Sequence, residues 1–180
     1  MTIDHLIEDV IAREGGYSNH PADRGGATRW GITEAVARAH GYPGDMRVFP
    51  RDEAAAIYRR IYWLKPNFSG VASHAPALAA ELFDTGVNMG PAVAARFLQR
   101  ALNALNREGK DYPDMAVDGQ IGTITLAALA AFLATRGDAG EAVLLKAVEA
   151  LQGARYLTLA KSRPANEAFL YGWLANRIGS

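Results

Sequence analysis

Apolar side chains recur at helical spacing along most of this 180-residue chain. In the first segment they follow the i, i+3, i+4, i+7, i+8 pattern of an amphipathic helix with one face toward a core. Those apolar positions are Ile3, Leu6, Ile7, Val10 and Ile11. Similar patterns, several of them opened by proline or threonine, predict helices over residues 33–39, 50–66, from 76 onward, 91–105, 123–135, 139–162 and 166–176. The sequence therefore predicts a mainly α fold, in which only residues 16–32 leave room for a short β-hairpin.

Glu14 lies where the first predicted helix ends. At about 100° per residue it continues the apolar stripe, and Gly15 and Gly16 follow it as a helix-ending pair. Partial burial and the negative end of the helix dipole would both disfavour a charged carboxylate at this position. A general acid must hold its proton near neutral pH, so we predict that Glu14 acts as one. The structural alternative is an ion pair of Glu14 with Arg13 or Arg24.

The segment after Glu14 combines glycines with polar and aromatic residues over residues 14–33, EGGYSNHPADRGGATRWGIT. This string resembles the signature of the glycoside hydrolase 108 family of N-acetylmuramidases, which includes phage endolysins and bacterial secretion-activator proteins. Two further strings, DTGVNMGPAVAARFLQRALN at 84–103 and VDGQIGTITLAAL at 117–129, resemble the predicted peptidoglycan-binding region that accompanies the family. The resemblance implies a lysozyme-like single domain with two lobes. A muramidase lobe over residues 1–72 would pack as one unit with a helical lobe over residues 73–180.

The resemblance also implies a reaction, hydrolysis of the β-1,4 bond between N-acetylmuramic acid and N-acetylglucosamine in peptidoglycan, with Glu14 as the catalytic acid. The order Glu14, Asp23, Thr28 is similar to the catalytic triplet of phage-type lysozymes, although the spacing from Asp to Thr is one residue shorter here. Threonine can hold a water but has no carboxylate with which to attack the sugar. We therefore expect Asp23 and Thr28 to orient a water opposite Glu14 and the anomeric configuration to invert. The alternative is that Asp23 pairs with Arg24 or Arg29 and that Thr28 caps a turn.

Four further side chains are predicted to contact the glycan: Tyr17, Trp30, Tyr62 and Asn88. Tyr17 and Trp30 interrupt the glycine-rich loop. Tyr62 shares a predicted helix with Tyr58, and aromatic rings at helical spacing either stack on sugars or fill the core; we expect Tyr58 to be in the core. Asn88 lies in residues 84–90, a glycine-rich stretch that we expect to form a connector, where it could form a hydrogen bond with an N-acetyl group.

Composition and charge exclude several other classes of function. Lys and Arg number 19, as do Asp and Glu, so the chain has neither the basic surface of a nucleic-acid-binding protein nor a polybasic membrane segment. There is no cysteine, and the four histidines show no metal-binding spacing, so we expect no metal site and no cofactor. We expect a monomer without stable membrane insertion, whose partner is the glycan strand of peptidoglycan.

The first residues form an amphipathic helix rather than a charged segment followed by an apolar one, so no signal peptide is predicted. We expect synthesis in the bacterial cytoplasm and release to the cell wall by a separate export or holin-type route. Two other functions stay open at this point. One is a non-catalytic peptidoglycan-binding module in which Glu14 forms a structural ion pair, and the other is a chitinase-like hydrolase on a related helical scaffold.

Overall fold

A computed structural model describes residues 2–19 and 26–179, apart from the side chain of Asp138. The described chain is mainly α-helical, and its one sheet has two short antiparallel strands in the segment after the first helix, which confirms the predicted fold class. The chain packs as two compact units, Met1–Lys65 and Pro66–Ser180. Within the described ranges, no helix is both long enough and apolar enough to cross a membrane.

The first unit is built on helix α1 packed against helix α3. Its elements are α1 (Ile3–Glu14), β1 (Thr28–Arg29), β2 (Ile32–Thr33), α2 (Glu34–Ala39), a 3₁₀ turn (Met46–Val48), α3 (Arg51–Tyr58) and a π-helical segment (Arg59–Leu64). The Thr33 hydroxyl accepts a hydrogen bond from the Val36 N–H at 3.3 Å and caps α2, as the sequence predicted. The buried side chains of α1 and α3 are Ile7, Val10, Ile11, Ala54, Ile57 and Tyr58. The predicted helix over 50–66 is therefore α-helical only to Tyr58 and then widens into the π-helical segment.

The two strands form a hairpin around a two-residue turn, Trp30 and Gly31. Thr28 pairs with Thr33 and Arg29 with Ile32. Both turn residues have positive φ angles, 55° and 75°, as in the type I′ turns that connect short hairpins. Glycine adopts this conformation freely, whereas a bulky residue such as tryptophan adopts it only when its surroundings hold it there. Ser18 and Thr28 exchange backbone hydrogen bonds of 2.8 and 2.7 Å, so the chain after α1 runs beside β1.

The described part of the second unit contains helices and no strand, with an irregular segment over residues 106–122. Its helices are α4 (Phe68–Ala72), α5 (Pro76–Met89), α6 (Pro91–Leu105), α7 (Thr123–Arg136), α8 (Gly140–Ser162) and α9 (Glu167–Arg177), with 3₁₀ turns at Gly137–Ala139 and Pro164–Asn166. Helix α5 contacts α4, α6 and α8, and α8 also contacts α6, α7 and α9. Large side chains from these helices fill the core: Phe68, Leu78, Leu82, Phe83, Leu98, Leu102, Leu129, Phe132 and Leu144.

Residues 84–90 form no connector, and that prediction is wrong. All but Gly90 belong to the last turns of α5, which Gly90 ends with a φ of 95°. Within the helix, a Cβ atom at Gly86 would lie 3.1 Å from the Phe68 ring, so this glycine lets α4 pack closely on α5. Glycine can mark either a turn or a close approach of two helices, and here Gly86 serves the second purpose.

Candidate active site

Glu14 is the last residue of α1. Gly15 follows it with a φ of 76°, and its N–H donates a hydrogen bond to the Ile11 carbonyl at 3.3 Å. The apolar stripe of α1 is buried at Ile11, but Glu14 itself is exposed. The expected partial burial of Glu14 is therefore wrong, because the core covers the stripe only as far as the turn before it. The carboxylate lies in solvent, where a substrate can reach it.

The alternative of a structural ion pair gains no support in the described part of the chain. There, Glu14 forms neither a salt bridge nor a hydrogen bond through its carboxylate with another described residue. The Arg13 Nε–H donates to the Asp9 carbonyl at 3.2 Å. Arg24, the other arginine considered as a partner, lies outside the described residues.

Gly31 packs against the aliphatic part of the Glu14 side chain. A Cβ atom at Gly31 would lie 2.9 Å from Glu14 Cγ and 2.2 Å from the hydroxyl oxygen of Tyr58. No side chain fits at such distances. The hairpin turn is also tied to the end of α1 by the Trp30 N–H, which donates to the Gly15 carbonyl at 3.2 Å. The turn, Glu14 and Tyr58 therefore form one packed group.

Tyr58 is the last residue of α3, and Tyr62 lies in the π-helical segment that continues it; both are close enough to Glu14 to feel its charge. Their ring centroids are 5.6 Å apart. Tyr58 is 3% exposed, which confirms the expectation that it belongs to the core, and Tyr62 is half-buried. Burial raises the pKa of Tyr58, and the nearby negative charge of Glu14 raises it further. Burial and Glu14, in the same order, also raise the pKa of Tyr62, so both hydroxyls stay neutral donors. Tyr62 and Trp63 belong to the π-helical segment, a geometry that is frequent at functional sites.

Trp30 is fixed in its left-handed conformation by contacts on several sides. Its indole N–H donates to the Phe49 carbonyl at 3.1 Å, and the guanidinium groups of Arg29 and Arg51 lie 5.1 and 5.7 Å from its ring centroid. Such cation–π contacts contribute about 0.5–1 kcal/mol each at exposed sites. The Nε atom of Arg29 is buried without a hydrogen-bond partner in the described part of the chain. Two arginine side chains therefore lie close to the Trp30 ring, which was predicted to contact the glycan.

The remaining predicted site residues are spread over the chain. Tyr17 is 38% exposed, with the Arg47 guanidinium 5.6 Å from its ring centroid, and Thr28 is half-buried in β1. Asp23 lies outside the described residues. Asn88 is exposed near the end of α5 in the second unit. Its side-chain N–H group donates to the Asp84 carbonyl at 2.8 Å and to the Asp84 carboxylate at 3.2 Å, which leaves the Asn88 amide oxygen as the acceptor available to a ligand.

No cluster of three or more histidine, cysteine, aspartate or glutamate side chains within the described ranges is arranged to hold a metal ion. The sequence reasoning missed two features of this site, the role of Gly31 and the approach of the Tyr58 hydroxyl to Glu14. For the approach of the Tyr58 hydroxyl, the sequence offered one signal: a core-facing position of a helix holds a tyrosine rather than a phenylalanine.

Comparison with known families adds to this geometry. Residues 7–90 match the sequence model of glycosyl hydrolase 108. Over these residues the chain belongs to the glycosyl hydrolase 108 family. Residues 93–178 of this glycosyl hydrolase match a second model, described as a predicted peptidoglycan domain. Family membership implies glycoside hydrolase activity, and the second domain supports peptidoglycan as the partner.

A solved structure with the same fold extends the match over the whole chain. The structure of Brucella abortus SagA superposes on this glycosyl hydrolase with a TM-score of 0.57 and 25% sequence identity, covering 99% of this chain and 96% of that chain. None of the curated proteins matches the sequence.

Proposed function

We propose that this chain is an N-acetylmuramidase, a lysozyme that hydrolyses the β-1,4 bond between N-acetylmuramic acid and N-acetylglucosamine, with Glu14 as its general acid. One observation carries the proposal: within the glycosyl hydrolase 108 match, a solvent-accessible carboxylate at the end of α1 forms no salt bridge with another described residue and packs through its stem on Gly31. A structural carboxylate at a helix C-terminus would be expected to have a cationic partner, because the helix dipole opposes its charge.

In the proposed reaction, Glu14 gives its proton to the glycosidic oxygen as that bond breaks, while an oxocarbenium-like state develops on the muramic acid ring. A water held by Asp23 and Thr28 then attacks the anomeric carbon from the opposite face and passes its proton to the Asp23 carboxylate, so the β-linked glycan gives an α-configured product. Following the first product by NMR tests this step. A β-configured first product would contradict inversion.

Four side chains are proposed to contact the substrate. Tyr17, Trp30 and Tyr62 are aromatic residues of the first unit, and their rings are proposed to lie against the sugars. Asn88 in the second unit is proposed to accept a hydrogen bond from an N-acetyl N–H through its side-chain oxygen, since its own N–H group is engaged by Asp84.

Glu14→Gln tests the proposal directly, because it keeps the size of the side chain and removes the transferable proton. We expect the variant to clear a peptidoglycan suspension at least about a hundredfold more slowly, the lower range of the contribution of general acid catalysis. Glu53→Gln is the matched control, since Glu53 is an exposed glutamate on α3 of the same unit. The control should clear the suspension as the wild type does.

The same assay separates the competing functions. A non-catalytic binding module would sediment with peptidoglycan without clearing it, in the wild type as in the variant. A chitinase-like hydrolase would cleave chitin oligomers in preference to peptidoglycan. If Glu14→Gln keeps more than about a tenth of the wild-type rate, which exceeds what the loss of a general acid allows, Glu14 is not the acid.

A further inference from the structure

The Tyr58 hydroxyl and the aliphatic part of the Glu14 side chain both lie against Gly31. A Cβ atom added to Gly31 would lie 2.2 Å from Tyr58 Oη and 2.9 Å from Glu14 Cγ. Those two atoms are therefore at most 5.1 Å apart, the sum of the two distances. The carboxylate oxygens of Glu14 lie two bonds beyond Cγ, so a change of side-chain rotamer can bring one of them within hydrogen-bond distance of the hydroxyl.

The hydroxyl is suited to donate that bond. Tyr58 is 3% exposed, so its ring is fixed by the core of the first unit. Burial keeps the hydroxyl protonated, and the hydroxyl donates no hydrogen bond to another described residue, so it is available to Glu14. Gly31 keeps the space between the two side chains open, since any Cβ atom there would overlap the hydroxyl oxygen.

We propose that Tyr58 is a positioning residue for Glu14, whose hydroxyl donates a hydrogen bond to the carboxylate that Glu14 becomes as it transfers its proton to the glycosidic oxygen. Tyr58 keeps its own proton throughout. This inference rests on the proposed function of Glu14. A donor directed at a group where negative charge develops stabilises the transition state more than the ground state, so the hydroxyl lowers the barrier to proton transfer.

The same bond has a second consequence, in the way that its loss divides between kcat and KM. The bond strengthens as the proton leaves Glu14, so its loss lowers kcat and leaves KM unchanged. A purely structural role for Tyr58 does not produce this selective loss.

The test compares Tyr58→Phe with Tyr156→Phe in kcat and KM on soluble glycan strands. Tyr156 is a matched control, because it is also 3% exposed and its hydroxyl has no hydrogen-bond partner in the described chain. We expect Tyr58→Phe to lower kcat about tenfold or more and to leave KM unchanged. Tyr156→Phe should match the wild type in both.

A second variant, Gly31→Ala, tests the same contact by a different substitution. Gly31→Ala should lower activity strongly, and the loss should be smaller in a Tyr58→Phe background, because the closest overlap of the new methyl group is with the hydroxyl. If Tyr58→Phe equals Tyr156→Phe in kcat while Glu14→Gln is inactive, the positioning role is wrong and the proposed function stands. If Glu14→Gln is active, the proposed function fails and the positioning role fails with it.

Discussion

Glu81 is a carboxyl group of α5 whose surroundings favour its neutral form. Burial raises its pKa to about 7 and is the largest cause of the shift, and the charges of Asp84 and Glu149 act in the same direction. The Thr85 hydroxyl donates to it at 3.0 Å, and this bond and the charge of Arg177 oppose the shift without cancelling it. Glu81 therefore changes its charge near neutral pH within the packed second unit.

This shift makes the stability of the protein depend on pH. The folded-state pKa lies above the unfolded value, so the neutral form favours folding: the favourable contribution is complete below about pH 4.5 and is lost as the pH rises to about 7. Above that range the cost is constant. One unit of pKa shift corresponds to about 1.4 kcal/mol, so ionisation of Glu81 costs at most about 3 kcal/mol of unfolding free energy.

Glu81→Gln should remove this cost, because glutamine has the same shape and still accepts the Thr85 hydrogen bond. Chemical denaturation should show the variant to be more stable than the wild type at pH 8, with the difference vanishing toward pH 4.5. Glu108→Gln, at an exposed position of the same unit, should leave stability unchanged at both pH values. A stability gain for Glu81→Gln that is equal at pH 4.5 and pH 8 would show that the charge of Glu81 is not its cause.

At the scale of single residues, the sequence predicted that Glu14 lies at a helix end, but it did not predict what surrounds Glu14. Periodicity and the glycine pair located Glu14 at a helix end, because both signals are local. Its exposure depends on how far α3 covers α1, and the approach of the Tyr58 hydroxyl depends on where the hairpin turn packs. Those are contacts between residues far apart in the chain, on which a local pattern carries no information.

At the scale of elements, the β1–β2 hairpin contacts Glu14 and Tyr58 through Gly31. It is also the element that the sequence predicts least clearly. Each strand has two residues, too few for an alternating pattern to be recognised. Its turn is Trp30–Gly31 rather than the asparagine–glycine pair that usually marks such turns. The contacts of the Trp30 indole with the Phe49 carbonyl and the two arginines stabilise tryptophan in this turn. Phe49 and Arg51 belong to another segment of the chain, so the local sequence does not show these contacts.

The helices of the second unit were predicted more closely, with two exceptions. Helix α5 continues through the glycine-containing residues 84–89, and α4 (Phe68–Ala72) was not predicted at all. Helix α4 has five residues and begins after Asn67, whose left-handed φ of 61° is not a usual helix start. Both exceptions involve one contact, the packing of Phe68 on Gly86, which neither segment shows by itself.

At the scale of the whole molecule, family boundaries and compact units divide the chain differently. The glycosyl hydrolase 108 match extends to residue 90, whereas the second compact unit begins at Pro66. Helices α4 and α5 therefore belong to the hydrolase match, but α4 packs with α7, and α5 packs with α6 and α8. The end of the family match at residue 90 is thus a boundary of sequence similarity and not of packing.

This division predicts how catalysis and wall binding separate. Glu14 and the groups that contact it lie in the first unit, and the match to a predicted peptidoglycan domain covers residues 93–178. We expect Glu14→Gln to sediment with peptidoglycan as well as the wild type does, although it does not clear the suspension. Added in excess, it should also slow clearing by the wild type, since the two proteins compete for the same wall sites.

Sedimentation with chitin provides the control, because a surface specific for peptidoglycan should retain less of either protein on chitin. A folded Glu14→Gln that no longer sediments with peptidoglycan would contradict the separation, since Glu14 would then contribute to binding as well as to the reaction. Retained binding together with lost clearing is the result expected if the substitution removes the proton donor and leaves the wall-binding surface intact.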